Sequence, residues 1–390
     1  MSTSSSDEVD RRALRSVAVQ FFANGTVYAT VIPRLPDIRE RVDISIGALG
    51  LVLTLGAVAS LIGSLQTGRA IARFGSRRVM IYGAVCSIGF LPVIGFSTVP
   101  VVLVAALFGL LFFDVFIDVA MNVQGSALSQ RRHTPVMNRL HGLWSLGSVT
   151  GGLVTVFTLR MGISTPAHLT AVAVVLIGAL AFLAPGLLHR DEVPELTAAA
   201  AAATERRRPL GVASLMLGAG GAMAMTIEIT NGDWASFRLG EDLDARPGIA
   251  ALAFLTFTTG MTIGRLGGDW LQVRLGSVRL FRVSAVLAGT GSVLATLIPV
   301  TAVSIGGFLV AGLGTSVLFP QLYDRAAQSP GPPGSGFASM LIGQRSAALV
   351  TPLVVGWLAD TEALGVGQAM AIVTVPAAVV VFLGTLRRTP

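Results

Sequence analysis

Gly63-Ser-Leu-Gln-Thr-Gly-Arg-Ala-Ile-Ala-Arg-Phe-Gly-Ser-Arg-Arg78 recurs 201 residues later as Gly264-Arg-Leu-Gly-Gly-Asp-Trp-Leu-Gln-Val-Arg-Leu-Gly-Ser-Val-Arg279. Gly63, Arg73, Gly75, Ser76 and Arg78 fall on Gly264, Arg274, Gly276, Ser277 and Arg279. The same shift carries Gly142, Ser145, Val149 and Thr150 onto Gly343, Ser346, Val350 and Thr351. One offset that serves two distant segments argues for a duplicated chain. Each copy of the first segment joins two apolar runs through glycines and arginines. Glycine suits a tight loop and close helix approach, and arginine suits an anionic membrane surface.

The apolar runs are long enough to cross a bilayer. A helix spanning the roughly 30 Å hydrocarbon core needs about 20 apolar residues. Twelve such runs fall at 16–36, 46–67, 79–97, 100–126, 141–159, 168–188, 211–231, 249–268, 280–299, 302–323, 336–358 and 366–386. The 390 residues are 53% hydrophobic and only 13% charged, with a mean hydropathy of +0.74. Soluble domains carry about 25% charged residues, so a soluble enzyme is excluded. The ten-residue alternation of a membrane β-barrel is also missing. The predicted fold class is therefore all-α integral membrane, with twelve transmembrane helices in two six-helix halves. The divisions are a tail at 1–15, a bundle at 16–188, a linker at 189–210, a second bundle at 211–386 and a tail at 387–390. Pro92, Pro299, Pro320 and Pro352 do not demote their runs, because neighbouring helices can satisfy the freed backbone groups.

The basic residues, 28 in all, are all arginine and test the topology independently. Cytoplasmic loops hold the positive excess. Alternate loops and the two tails carry most of the arginines, from Arg11 and Arg12 through Arg77 and Arg78 to Arg387 and Arg388, with Arg265 in that group. The other loops hold Arg34, Arg39, Arg41, Arg160, Arg238 and Arg246, largely offset by Asp37, Glu40, Asp43, Glu241, Asp242 and Asp244. Both termini are thus expected in the cytoplasm. The arginines are scattered between apolar runs, so nucleic acid is not an expected partner. Cys86 stands alone, which excludes an internal disulfide, and no metal-ligand cluster is visible.

Two six-helix halves joined by a cytoplasmic linker resemble the major facilitator superfamily. The stretch from Gly68 to Arg78 looks like that superfamily's signature between its second and third helices, although the usual aspartate falls at Ala72. Gly68, Arg73, Gly75 and Arg78, with Asp269, Arg274 and Gly276 of the second copy, are the gating-loop residues that the resemblance marks. Asp118-Val-Ala-Met-Asn-Val-Gln-Gly125 and Met137-Asn-Arg-Leu-His-Gly-Leu-Trp-Ser-Leu-Gly147 resemble the bacterial YbjJ-like branch, which has a general likeness to fucose-type sugar transporters. The resemblance implies halves related by a pseudo-two-fold axis and alternating access, with the solute near the midplane. It also implies a bacterial inner membrane, a monomer, and a cavity lined by helices one, four, seven and ten. With no nucleotide-binding loop and no catalytic constellation, neither an ATPase subunit nor enzymatic activity is expected. The expected partners are the bilayer and a small organic solute. No cofactor is expected beyond a coupling ion, with the proton preferred and sodium the alternative.

Ionisable groups inside a membrane are costly and mark function. Asp114, Asp118 and Asn122 follow at i, i+4 and i+8 in run four, on one helical face. Asp114 is the preferred proton site, Asp118 its neighbour, and Glu228 in run seven a second proton or cation site. Capping a broken helix, or pairing with Arg345, is the competing structural role. Gln20, Asn24 and Tyr28 repeat the spacing in run one and suit a hydroxylated or amide solute, unless they hold helices together. Asn231, Asp233 and Trp234 are expected at the outer mouth, where the tryptophan either stacks on solute or anchors at headgroups. Gln321 and Tyr323 flank Pro320, an expected kink in run ten. Arg345 suits a carboxylate or an anionic solute, and His141 ranks below it. His133, His168 and His189 are assigned to loops. Two functions remain open beside solute transport coupled to protons: drug or metabolite export, and a transport-inactive sensor or scaffold.

The topology has a direct test. A cysteine at Asp242 is expected to react with a membrane-impermeant reagent from outside, and one at Thr204 only from inside. The reverse pattern overturns the orientation.

Overall fold

The computed structural model describes residues 3–133, 136–189, 211–327, 329 and 335–384. The arginines at 206–208, 387 and 388 and most of the linker lie outside the described residues. Each half begins with a long helix, α1 (Thr3–Val31) and α8 (Val212–Asp233), followed by a short one, α2 (Leu35–Val42) and α9 (Ala235–Leu243). The remaining helices of the first half are α3 (Ile46–Phe74), α4 (Ser76–Phe96), α5 (Pro100–Arg131), α6 (Met137–Arg160) and α7 (Thr165–Leu183). Those of the second are α10 (Pro247–Leu275), α11 (Ser277–Leu297), α12 (Thr301–Thr315), α13 (Leu318–Ala327), α14 (Ser335–Ala359) and α15 (Val366–Leu383).

Among the described residues, eleven spans, with α12 and α13 counted together, are long and apolar enough to cross a membrane. The twelfth is α1, whose 29 residues include Gln20, Asn24, Thr26 and Thr30 and are therefore less apolar. Helix α3 and its repeat partner α10 have 29 residues each. At 1.5 Å per residue they are about 43 Å long, so their last turns extend past the hydrocarbon with Arg73 and Arg274. Helices α12 and α13 part at Ser316 and Val317, ahead of Pro320. The proline cannot donate to the carbonyl four residues earlier, that of Ser316, and the helix opens there. Pro299 lies between α11 and α12 rather than inside a helix.

The two halves pack alike, as a pseudo-two-fold requires. Helix α1 packs on α6 as α8 does on α14, and α3 on α5 as α10 does on α12. Between the halves, α3 meets α14 and α6 meets α10. Glycines set these approaches at the repeat offset. A Cβ on Gly63 would lie 2.8 Å from the carbonyl oxygen of Phe112, and one on Gly264 would lie 3.0 Å from that of Leu313. In the α1–α6 crossing, a Cβ on Gly25 would stand 2.1 Å from the Trp144 carbonyl oxygen, and one on Gly147 would stand 2.1 Å from that of Phe22.

The gating-loop segments reduce to single glycines. Gly75 and Gly276 join α3 to α4 and α10 to α11 with φ of 81° and 73°, a region that side chains disfavour. Gly68 is not in a loop: it lies exposed inside α3, with no atom within 4 Å of its would-be Cβ. The Arg73 guanidinium lies 5.2 Å from the Phe74 ring centroid, and that of Arg274 lies 4.1 Å from the Trp270 ring. Arg78 is exposed. The Asp269 side chain lies outside the described residues. Beside the first joint, Gln124 Nε2 donates to Ser76 Oγ (2.9 Å) and Leu188 O (3.0 Å), and its Oε1 accepts from Leu188 N (3.1 Å). Beside the second, Gln321 accepts from Ser277 Oγ and donates to Gln272 Oε1 (2.9 Å).

A buried arginine holds the opposite end of each half. Arg34 donates to Asp37 (2.9 Å), Thr158 Oγ1 (3.1 Å), Ile163 O (2.9 Å) and His168 Nδ1 (3.3 Å). His168 is thus a buried residue of α7 rather than a loop residue. Arg238 donates to Asp242 (2.7 Å), Ala295 O (3.3 Å) and Ile298 O (3.2 Å). Asp242 in turn accepts from Val366 N (3.0 Å) and Gly367 N (2.7 Å) at the start of α15. Position 242 therefore carries structure, and exposed Glu362 is the better labelling site at that end.

A Cβ on Gly343 would lie 1.9 Å from the Gly218 carbonyl oxygen, whereas Gly178 has nothing within 4 Å. Gly343→Ala should lower the Tm in detergent by several degrees, and Gly178→Ala should leave it unchanged, as read by scanning fluorimetry.

Candidate functional site

A cavity of about 260 Å³ lies between the halves, lined by α1, α5, α6, α8 and α10. Its polar groups are Asn24 and Tyr28 of α1, Asp114 of α5, Ser145 and Ser148 of α6, Glu228 and Asp233 of α8, and Thr258, Thr262 and Arg265 of α10. Leu110, Met225, Phe254, Phe257 and Met261 form its apolar wall, and the indole of Trp144 completes it.

One polar chain runs across this cavity. Trp144 Nε1 donates to Asn24 Oδ1 at 2.8 Å, and Asn24 Nδ2 donates to Asp114 Oδ1 at 2.6 Å. The Asn24 amide is thereby fixed in one orientation, with its donor side committed to the carboxylate. On the far wall, Arg265 Nη2 lies 3.7 Å from Glu228 Oε1. Its guanidinium carbon stands 5.9 Å from the Trp144 ring centroid, which joins the halves through a cation–π contact. Three carboxylates and one guanidinium line the space, so unprotonated carboxylates would make its fixed charge negative.

The two ends of the cavity differ. Towards the arginine-poor end, Tyr28 Oη donates to Asp233 Oδ1 across the halves. Beyond it, Arg39 meets Glu241 at 2.5 Å and Ser45 Oγ donates to Asp360 Oδ2 at 3.0 Å, both across the halves. Towards the arginine-rich end, Asp118, His141 and Arg345 are exposed. These side-chain contacts between the halves thus lie at the first end.

The structure sorts the residues singled out in the sequence. Asn24, Tyr28, Asp114 and Glu228 share the cavity. Asp118 lies one turn nearer the arginine-rich end, where Asn122 Nδ2 donates to its backbone and side-chain oxygens at 2.8 and 3.1 Å. Gln20 lies in a separate cleft against α4 and α7 with Ser16, Met80 and Leu187. Four residues advance a helix by about 400°, so Gln20 sits some 80° around α1 from Tyr28. Asn231 is fully buried and donates to Ile227 O and Ser292 Oγ, the helix-holding role. Gln321 joins α13 to α10 and α11, and Tyr323 stacks on Phe337 at 6.1 Å. Run ten does not line the cavity: Thr315 and Ser316 are buried, the latter against Gly264. Arg345 forms no ion pair within 4 Å among the described residues, and its charge acts on Asp118 across a gap. His141 packs edge-on against Phe21. Trp234 neither anchors nor stacks on solute, being fully buried against Phe237.

The sequence does not single out Trp144, Ser145, Ser148, Thr258, Thr262 or Arg265 as cavity residues, and it puts Asp233 elsewhere. Trp144 was visible only as part of a quoted motif. Arg265 was assigned to an arginine-rich loop, but lies in α10 and faces Glu228. Asp233 was placed at the outer mouth, and its partner on the other half had no signal in either sequence segment.

A bundle of membrane helices around a cavity between its two halves is the architecture of a solute transporter. The sequence model of the Major Facilitator Superfamily matches residues 17–352, and the chain belongs to that family. An uncharacterized transporter of Sinorhizobium fredii, y4wD, is 29% identical over 90% of this chain and 92% of its own. Membrane protein MosC of Rhizobium meliloti is 27% identical over 92% and 86% respectively. An uncharacterized MFS-type transporter of Yersinia pestis is 26% identical over 93% and 94%. Among solved structures, a mutant of the nucleoside transporter NupG superposes with a TM-score of 0.77 at 12% identity, over 95% of this chain and 98% of that one. A bacterial homologue of the lysosomal transporter Spinster, inward-facing and unoccupied, gives 0.73 at 12% over 97% of both. These two likenesses establish the fold.

Arg265→Ala leaves the Glu228 carboxylate without its ion-pair partner and should lower the Tm. The double variant with Glu228→Gln should regain part of the loss, because no unpaired charge remains. Additive losses would show that the two side chains do not interact.

Proposed function

We propose that this chain is a proton-coupled secondary transporter of a small, sugar-like or otherwise polar solute. It works by alternating access in a bacterial inner membrane, with the arginine-rich end and both termini in the cytoplasm. The observation that carries this reading is the placement of Asp114 on the cavity wall, bonded to Asn24 and facing Glu228 and Arg265 across the halves. A carboxylate in that position can change its proton when the cavity opens to either side, and its charge state alters what the cavity binds. The cavity is smaller than the roughly 300–1,000 Å³ of drug-sized sites, which favours a compact metabolite. Hydroxyls of Ser145, Ser148, Thr258 and Thr262, with the Asn24 amide, suit hydroxylated solutes. The fixed carboxylates disfavour anions. They also weigh against a transport-inactive scaffold, which has no use for charges held in the membrane at a cost of a few kcal/mol each. Arg73, Arg78 and Arg274 at the glycine joints would face the anionic leaflet and steady those joints while the halves rock.

The test is a thermal-shift panel of sugars, amino acids, organic acids and cationic drugs at two pH values, followed by uptake into proteoliposomes for any hit. A stabilising polar solute whose uptake follows a proton gradient, and whose pH dependence disappears in Asp114→Asn, is the expected result. Uptake driven equally well by a sodium gradient alone, or unchanged pH dependence in that variant, would reject proton coupling through Asp114.

A further inference from the structure

We propose that Asp233 is a second coupling carboxylate and that its bond to Tyr28 is a proton-released latch on the arginine-poor end. This deepens the transport reading and rests on it for the link to solute movement, while the latch itself is a property of the fold.

Tyr28 belongs to α1 and Asp233 to the last turn of α8, so the phenol-to-carboxylate bond ties the first helix of one half to the first helix of the other. It lies at the cavity wall, where both residues meet the same space as Asp114 and Glu228. Asp233 is 8% exposed. The bond is also the innermost of the named contacts between the halves at this end. Arg39 and Glu241 beyond it are partly exposed, at 18% and 35%, and Tyr28 itself, whose ring faces the cavity, is 38% exposed.

A hydrogen bond to an ionised carboxylate is roughly twice as strong as one between neutral groups. Adding a proton to Asp233 therefore weakens the tie between α1 and α8 without moving any other group. The charged and titratable groups around it are Tyr28 on α1, Asp114 on α5, Glu228 on α8 itself and Arg265 on α10. Glu228 and Asp114 bring two further carboxylates to this cluster. Arg265 is drawn to Glu228. This end thus reads the proton occupancy of the same cavity that holds the solute.

Spin labels on exposed Glu40 and Glu362, one from each half at this end, in a Cys86→Ser background, read the opening by pulsed electron–electron distances in lipid nanodiscs. The unsubstituted latch should give one short-distance population at alkaline pH and a growing long-distance population at mildly acidic pH. Tyr28→Phe removes the donor and should raise the open-to-closed ratio about tenfold at alkaline pH. Asp233→Asn keeps an acceptor oxygen but is neutral at every pH, as the protonated aspartate is, so it should show the acid-like long-distance population at alkaline pH too and lose its response to pH. A short-distance population in Tyr28→Phe with a normal pH response and a normal Tm overturns the latch. A full pH response in Asp233→Asn overturns the role of its proton. Because distances are read without solute, a chain that fails the uptake test still reports on the latch.

Discussion

The crossing of α1 with α6 determines more of this molecule than any other contact. Gly25 and Gly147 let each backbone approach the other's carbonyl oxygen, closer than any side chain would allow. That approach brings Asn24, next to Gly25, against the Trp144 indole, and the amide so fixed turns its donor towards Asp114. The packing of small residues, the usual device for close helix contact in lipid, here also orients the polar centre of the cavity. The second half repeats the device with Gly218, Gly221 and Gly343 between α8 and α14. It presents Glu228 and Asp233 to the same space.

The fold was largely legible because it obeys one-dimensional rules. Length of apolar run, arginine parity and a fixed repeat offset each report on the chain locally, and the helices, the joints at Gly75 and Gly276 and the repeated packing follow them. Helix α1 is the informative exception, since its low apolarity comes from its charged first turns, Asp7 to Arg15, and from Gln20, Asn24 and the threonines that follow. The break before Pro320 was displaced by one turn for a reason that backbone chemistry supplies, the missing donor to the Ser316 carbonyl.

The site was legible only in part. Asp114 and Glu228 stood out because a charge in an apolar run is costly wherever it points. Neutral polar residues carry no such signal. Gln20, Asn231 and Gln321 look like solute ligands in a string of letters and prove to face a side cleft or other helices, because small angular differences on a helix decide between cavity and packing. Arg265 was hidden by its closeness to the end of an apolar run, where arginine is ordinarily a surface residue. Partners drawn from opposite halves, such as Tyr28 with Asp233 or Trp144 with Arg265, have no sequence spacing to betray them.

The clamp at Gln124 bears on how the protein is made. Its three partners, Ser76 Oγ and the backbone N–H and carbonyl of Leu188, all precede the linker. Every group needed to finish that surface of the first bundle has therefore been synthesised before the second bundle begins. The emerging amino-terminal half can seal its own lower edge while the ribosome is still translating, and the later helices dock onto a partner that already has its shape.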